Sequence, residues 1–174
     1  GRWLNRASES ELEAAFRNYG EIIQSRKLAR AVVERRIDKP FGKTSDLVEV
    51  TDAVLGKSRP GKLPHPTLVF QAVRIVVNDE LRQLEAGLTA ACPLLERGGR
   101  IGVISFHSLE DRIVKNYFRR ESTQCVCPPG LPVCCCGHAA TLEVLTKRAV
   151  TASAEELKIN SRSACAKFRA AEKL

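Results

Sequence analysis

Apolar residues recur at helical spacing through the first part of the chain. A capping-box pattern at Ser8 and Glu11 predicts the start of a helix. Its apolar stripe consists of Leu12, Phe16, Tyr19 and Ile23. We expect Gly20 to separate this helix from a second one over residues 21–37, which Lys39-Pro40 ends. These stripes predict helices that pack one face into a core.

A loop over residues 57–66, rich in proline, glycine and basic residues, follows a short third helix over residues 44–56. It is either an RNA-contacting segment or a plain linker. The pattern then predicts one long helix over residues 67–91. Its buried face is expected to comprise Phe70, Val73, Val77, Leu81, Leu84 and Leu88. A parallel polar stripe, which includes Arg74 and Asn78, lines a cleft or faces solvent.

A short apolar run, residues 101–106, predicts a buried strand of the parallel type after a Gly98-Gly99 turn. Ser108 is expected to cap the next helix, with Asp111 completing a capping-box-like start. This order of elements is the half-pattern of a doubly wound α/β sheet, whose strand ends bind ligands. The polar residues at this strand end are Ser105, His107, Ser108, Glu110 and Asp111. The alternative is that they only satisfy the amides of the helix start.

Three further short elements are predicted in the last third of the chain. Residues 142–146 indicate a strand, residues 153–158 a capped helix, and residues 165–172 a last strand after a loop at 160–163. The sequence contains no glycine-rich nucleotide fingerprint, because Gly98-Gly99 precedes its strand instead of following one.

Composition adds a basic character to this α/β pattern. The 174 residues are 44% hydrophobic and carry a formal net charge of +8, which favours a nucleic acid as partner over a merely soluble basic protein. The predicted second helix is the most basic stretch, with candidate phosphate contacts at Arg26, Lys27, Arg30, Arg35 and Arg36. The alternative is a solvated helix face.

The ends and the apolar runs of the sequence give expectations about cellular location and about whether the chain is a fragment. No run is long and apolar enough for a membrane span, and no signal-peptide pattern opens the chain. We therefore expect a cytoplasmic protein, with an organelle matrix as the alternative. The opening at Gly1-Arg2-Trp3 and the absence of methionine predict a fragment of a longer product.

Five of the seven cysteines fall between residues 125 and 136, in the pattern C-x-C-x6-C-x-C with Cys135 as an extra thiol. Two thiolate pairs across a Pro/Gly turn can surround a zinc ion, although C-x2-C is the usual spacing. The candidate ligands are Cys125, Cys127, Cys134 and Cys136, with His138 as a substitute. Free thiols, or a disulfide formed on oxidation, are the alternatives.

Several segments resemble, in the same order, the bacterial small-subunit rRNA cytosine-N4 methyltransferase family (MraW type). The resemblance covers nearly the whole chain, and the run Val103–Lys115 carries its most specific part. The other similar segments are Glu11-Leu12, Phe16–Glu21, Ala29–Val33, His65-Pro66, Phe70–Ile75, Val77–Leu81, Cys125–Gly137, and Asn160, Arg162, Ser163, Ala166-Lys167 and Arg169.

The resemblance implies the second half of a Rossmann-like class I methyltransferase sheet with an inserted all-helical domain. Residues 1–62 would be most of the inserted RNA-binding domain, and residues 63–174, including the cysteine-rich loop 125–138, the C-terminal half of the methyltransferase domain. The family's S-adenosylmethionine site is built by the other half of the sheet, so no cofactor-binding residue is expected here. The complete enzyme would methylate the N4 of a cytidine in small-subunit rRNA, and this chain alone would be inactive.

The resemblance also implies roles for particular residues. Ser105, His107, Ser108 and Glu110 would lie at the edge of the catalytic pocket and orient a flipped cytosine. The expected RNA contacts are Arg26, Lys27, Arg30, Arg35, Arg36, His65, Arg74, Asn78, Arg112, Lys115, Arg162, Lys167 and Arg169. The partner would be small-subunit rRNA or the ribosomal subunit, and a homodimer stays open. Two other functions stay open: a non-catalytic RNA-binding or ribosome-assembly protein derived from the family, and a zinc-thiolate interaction module.

Overall fold

The structure, a computed structural model, describes residues 1–58, 60–61, 63–128 and 133–174. The predicted loops 57–66 and 125–138 therefore each include positions outside the described residues, namely Arg59 and Lys62 in the first and 129–132 in the second. The chain forms two compact units, Gly1–Glu80 and Leu81–Leu174. The inserted domain was predicted to end at residue 62, whereas α5, residues His65–Asn78, groups with the first unit.

The first unit, called here the helical unit, contains five helices within its described residues. They are α1 (Arg2–Arg6), α2 (Glu9–Asn18), α3 (Ser25–Asp38), α4 (Thr44–Leu55) and α5. The predicted capping box is confirmed: Ser8 Oγ accepts from the Glu11 amide at 3.3 Å, and the Ser8 amide donates to Glu11 Oε2 at 2.7 Å. Helix α1 was not predicted, because five residues are too few to show a helical period.

The core of the helical unit lies where α2, α3, α4 and α5 meet. Its largest fully buried side chains include Phe16, Leu12, Leu28, Leu47 and Val69. The prediction that Ile23 belongs to the apolar stripe was wrong, since that side chain is 99% exposed and Ile22 is buried instead. The cause is local: α2 ends at Asn18, and Glu21 has a positive φ of 51°, so the helical register is lost before residue 23.

The predicted single helix over residues 67–91 is two helices. α5 ends at Asn78 because Asp79 adopts the left-handed conformation, with φ 53° and ψ 39°, and α6 begins at Glu80 and ends at Ala91. Asp is one of the few residues that tolerates this conformation. The break changes the buried face: Val69, Ala72 and Ile75 are buried on α5, whereas Val77 is exposed.

The second unit, called here the sheet unit, contains α6, a 3₁₀ turn at Cys92–Leu94, and a small sheet with its helices. In chain order these are β1 (Arg100–Ser105), α7 (Ser108–Glu121), β2 (Leu142–Val144), β3 (Val150–Thr151), α8 (Ala154–Ile159), a 3₁₀ turn (Ser161–Cys165) and β4 (Lys167–Lys173). Each predicted strand and helix of this region is present, with ends shifted by up to two residues.

The sheet is antiparallel, which corrects the expectation of a parallel-type strand. β4 lies between β1 and β2 and also pairs with β3. β1 pairs with β4 from Arg100 opposite Glu172 to Ser105 opposite Lys167. The expectation that residues 101–106 are buried was also wrong, since Ile104 is 59% exposed and Phe106 is exposed. Antiparallel sheets leave one face open to solvent, and within the described residues β1 pairs along one edge.

Helix α7 packs on the covered face of the sheet. Val114 and Phe118 are almost fully buried there against Leu142 of β2 and Ala171 of β4, together with Leu88 of α6. The observed class is thus a mixed α/β structure with a small antiparallel sheet. Among the described residues, no helix combines the length and apolarity required to cross a bilayer.

Candidate functional site

The end of β1 and the start of α7 are joined by a histidine cap. His107, not Ser108 as predicted, is the N-cap, and its Nδ1 accepts from the Glu110 amide at 3.3 Å. Glu110 Oε2 in turn accepts from the amides of Phe106 at 2.8 Å and His107 at 3.2 Å. Because Nδ1 accepts, a neutral ring carries its proton on Nε2, 3.3 Å from Glu110 Oε1. The prediction missed by one residue because histidine is an uncommon N-cap.

The two serines of this edge differ in their surroundings. Ser105 is buried, and its Oγ donates to the carbonyl oxygen of Lys167 at 3.3 Å, which ties the end of β1 to β4. Ser108 is exposed at the first position of α7. Of the four predicted edge residues, three thus make contacts that hold the strand-to-helix turn together.

Asp111 forms a buried ion pair below this turn. It is 9% exposed and accepts from Arg169 through Nε at 2.6 Å and Nη2 at 3.2 Å, while Lys167 Nζ lies 3.5 Å away. The hydrogen bond from Arg169 is the main cause that holds the pKa of Asp111 below its usual range. The pair joins α7 to β4, so the predicted RNA contacts Lys167 and Arg169 both face a carboxylate.

A basic cleft of about 210 Å³ lies beside this ion pair, between α7 and the segment after β2. Its apolar wall includes Phe118 and Val144, and its polar groups include Ser122 and Thr146. The cations that line it are Lys115, Arg119, Lys147 and Arg169. The cleft is therefore a concave surface where anionic groups are favoured, and we call it the α7 cleft.

Three exposed cations of the α7 cleft differ from Arg169, which is engaged by Asp111. Lys115 and Arg119 are one turn apart on α7 and so share a face. Lys147 follows Thr146, whose Oγ accepts from the Ala170 amide at 2.9 Å and so holds its segment against β4. Lys115 was predicted from the sequence as an RNA contact, whereas Arg119 and Lys147 were not. The four-residue spacing on α7 could have indicated Arg119. Lys147 comes close to the two α7 cations because β2, which precedes it, pairs with β4.

The basic residues of α3 divide into two groups. Arg36 Nη1 donates to the carbonyl oxygens of Leu4 at 2.8 Å and Ala7 at 2.6 Å, which holds the end of α1. Arg35 donates to Asp46 at 3.0 Å and stacks over Phe41. The remaining three, Arg26, Lys27 and Arg30, are exposed, and Arg30 pairs with Glu34 at 2.8 Å.

The predicted contacts on α5 also have partners within the helical unit. His65 Nδ1 lies 3.0 Å from the Gly56 carbonyl oxygen, at the start of α5. Arg74 Nε and Asn78 Nδ2 both reach Glu80, at 2.8 Å and 3.1 Å from Oε1. The structure therefore brings Arg74 and Asn78 together, as their shared stripe predicted. Arg112 and Arg162 are exposed on the sheet unit.

Four cysteine sulfurs meet in the loop between α7 and β2. Cys125, Cys127, Cys134 and Cys136 have all their Sγ atoms within 4.8 Å of one another. The Sγ–Sγ distances are 3.4 Å for Cys125–Cys134, 3.9 Å for Cys127–Cys134, 3.5 Å for Cys134–Cys136 and 3.8 Å for Cys125–Cys136. We call these four residues the cysteine cluster. They are the four residues predicted from the sequence as metal ligands.

Backbone amides surround the cysteine cluster. Amides of Val126 and His138 lower the pKa of Cys136 to about 6. At Cys125 the Cys127 amide lowers the pKa, but hydrogen bonds with the Cys134 and Cys127 thiols outweigh it and raise the value to about 12. His138, predicted as a substitute ligand, instead places Nε2 2.9 Å from the carbonyl oxygen of Arg120, near the end of α7.

Comparison with known proteins identifies one family along the whole length of the chain. The profile of the MraW methylase family matches residues 1–174. A relative from Carboxydothermus hydrogenoformans is 51% identical over 172 residues, which is 98% of this chain and 55% of the relative. One from Thermomicrobium roseum is 48% identical over 171 residues, 98% of this chain and 52% of the relative. Both are named ribosomal RNA small subunit methyltransferase H, and the chain spans about half the length of these curated relatives.

Proposed function

The chain belongs to the MraW methylase family, and we propose that it is part of an rRNA methyltransferase. The complete protein would transfer a methyl group from S-adenosylmethionine to the N4 of a cytidine in small-subunit rRNA. The observation that carries this proposal is the match of the family over residues 1–174, together with relatives named for that class of activity.

S-adenosylmethionine does not fit the residues that this chain provides. Within the described residues, the turn that leads from a strand into a long helix is Phe106-His107, which has no glycine to let a ligand approach the backbone. The amides of Phe106 and His107 donate to Glu110, and the Glu110 amide donates to His107. We therefore assign no step of methyl transfer to a cofactor held by this chain, and we propose that the chain alone is inactive.

The part of this chain in the function would be to hold RNA. Methyl transfer requires the target base to be unstacked and its backbone held in place. Lys115, Arg119 and Lys147 surround a concave surface of a size suited to one phosphate group with its sugar. On the helical unit, the exposed Arg26 and Lys27 of α3 would add weaker contacts.

We propose that the residues at the end of β1 act as positioning residues. His107 is 8% exposed and caps α7, and Ser105 joins β1 to β4. These contacts fix the turn at residues 106–107 without placing a reactive group of His107 or Ser105 in solvent. Their effect on the reaction would then come from the shape of this turn.

A chimera tests the proposed function. This chain would be joined to the part of the Carboxydothermus hydrogenoformans relative that lies outside its match to the chain. Methyl transfer from labelled S-adenosylmethionine to small ribosomal subunits would be measured for the chimera and for the chain alone. We expect transfer by the chimera, with the label on cytidine N4, and none by the chain alone.

The outcomes separate the candidate functions. Transfer by the chain alone would contradict the assignment of the cofactor site to another part of the protein. A folded chimera that binds rRNA but transfers no methyl group, while the parent relative does, would contradict the proposed enzyme and favour a non-catalytic RNA-binding protein of the family.

A further inference from the structure

We propose that Cys125, Cys127, Cys134 and Cys136 bind one Zn²⁺ ion in a closed tetrahedral site. The four residues belong to one loop, and their sulfurs converge although six residues separate Cys127 from Cys134 in the sequence. Three of these cysteines are exposed and Cys127 is half-buried, so burial of apolar surface gives little reason for the four thiols to gather. A shared cation is the simplest cause of such convergence.

The distances between the sulfurs match those of a zinc–thiolate tetrahedron. Zinc–sulfur bonds are about 2.3 Å long, so sulfurs at the corners of a regular tetrahedron around zinc lie about 3.8 Å apart. The four measured Sγ–Sγ distances range from 3.4 Å to 3.9 Å. The two remaining distances, both from Cys127, are within 4.8 Å. Four of the six distances therefore match those of a zinc–thiolate tetrahedron.

The same distances argue against the other states of a cysteine pair. A disulfide requires sulfurs about 2 Å apart, and the shortest distance here is 3.4 Å. Four sulfurs in mutual contact enclose one ion, whereas an iron–sulfur cluster places several iron and sulfide atoms between its cysteines. A single thiophilic cation is the ligand that fits this spacing.

A backbone hydrogen bond to one of the sulfurs supplies an independent second observation. The Cys127 amide donates to Cys125 Sγ at 3.4 Å. Amides aimed at sulfur neutralise part of the charge that four thiolates bring to a zinc ion, as outer contacts do in metal sites generally. The Cys127 amide is placed to make such a contact with Cys125.

The site would be structural. Four protein ligands leave no open position on a tetrahedral zinc ion for water or substrate, in contrast to catalytic zinc sites. Its effect would be to fix the loop between α7 and β2, since His138 contacts the Arg120 carbonyl oxygen and Thr141 Oγ1 donates to Glu121. β2 then pairs with β4 and contributes Val144 to the α7 cleft.

Metal content tests the proposal without reference to methyl transfer. The untagged chain would be purified under reducing conditions, and its zinc measured by mass spectrometry. We expect about one zinc per chain, and its loss in Cys125→Ser and in Cys127→Ser. Cys135→Ser is the matched control and should keep its zinc, since Cys135 Sγ lies 3.9 Å from Cys127 Sγ but is not one of the four mutually close sulfurs. Absence of zinc from the wild-type chain, or equal loss in Cys135→Ser, would overturn the proposal.

Cobalt substitution keeps the test decisive if a serine variant fails to fold, which far-UV circular dichroism would reveal. Co²⁺ added to the metal-depleted wild-type chain should produce the intense visible bands of tetrahedral cobalt and a thiolate charge-transfer band. Addition of zinc should remove both. Only the weak bands of octahedral cobalt, with no thiolate band, would contradict the site. Because these signals do not depend on RNA or on methyl transfer, the zinc site and the proposed function can fail separately.

Discussion

Helix α3 and the α7 cleft are both rich in positively charged residues, but they differ in how many of these residues are bound within the fold. α3 is the most basic stretch of the sequence, yet Arg35 and Arg36 make their bonds inside the helical unit. The α7 cleft draws its cations from α7, from the segment after β2 and from β4, so no short stretch of sequence displays it. Charge density along a chain therefore does not by itself indicate which cations stay exposed in the fold. What matters is which cations remain exposed once the internal partners have been satisfied.

The largest effect is expected where an arginine balances a buried carboxylate. Arg169→Ala should lower the free energy of unfolding by about 3 kcal/mol, because it removes the two arginine hydrogen bonds from the buried carboxylate of Asp111. Urea unfolding of the variant and the wild-type chain measures the difference. A change below about 0.5 kcal/mol, typical of an exposed residue, would mean that Arg169 belongs with the exposed cations of the cleft.

Arg36→Ala should lower the free energy of unfolding by about 2 kcal/mol, since it removes two charged hydrogen bonds to carbonyl oxygens at the end of α1. Lys27→Ala, on the same helix but exposed, is the control and should change it by less than about 0.5 kcal/mol. If both variants behave alike in urea unfolding, the division of α3 into structural and exposed cations is wrong.

His107→Ala should cost about 1 kcal/mol of stability through loss of the helix cap. His107→Asn should restore most of it, because asparagine is a favoured N-cap. If His107 is a positioning residue, the asparagine variant of the chimera should also recover methyl transfer. Restored stability without restored transfer would instead assign His107 a direct contact with the substrate.

Acid should weaken the sheet unit through Asp111. Its pKa is lowered in the folded chain, so its contribution is complete above the unfolded value of about 4 and is lost as the pH falls through the folded pKa. The difference in urea midpoint between the wild-type chain and Asp111→Asn should therefore shrink as the pH falls below about 4. A difference that is constant across this range would contradict the ion pair as its cause.

Local patterns predicted most elements of the fold, and non-local contacts account for what they missed. The capping box at Ser8 and the apolar run of β1 are short-range signals, and both elements are where they were expected. The antiparallel partner of β1 lies more than sixty residues away in β4, and nothing near β1 indicates it. Asp79 interrupts the predicted long helix through one backbone conformation that a periodicity of apolar residues does not reveal.

In the candidate site, too, features set by short sequence patterns were predicted and those set by distant contacts were not. The cysteine cluster was predicted because its pattern is contained within twelve residues. The α7 cleft could be predicted only in part, since Lys115 and Arg119 share a helical face but Lys147 reaches them through the pairing of β2 with β4. The partners of Arg36 in α1 lie about thirty residues away along the chain, so its structural role was hidden in a basic run.

The most direct test of this account is the salt dependence of RNA binding. Affinity of the chain for a synthetic small-subunit rRNA hairpin would be measured by fluorescence anisotropy over a range of salt concentrations. The variant Lys115→Ala/Lys147→Ala would be compared with Arg97→Ala/Lys158→Ala, which removes the same charge from exposed positions elsewhere on the sheet unit.

We predict that the cleft variant binds more weakly and that its slope of log affinity against log salt falls by about 2 in magnitude, one for each lost phosphate contact. The control variant should keep the wild-type slope. Equal slopes for the two variants would contradict the assignment of the α7 cleft as the surface that contacts RNA.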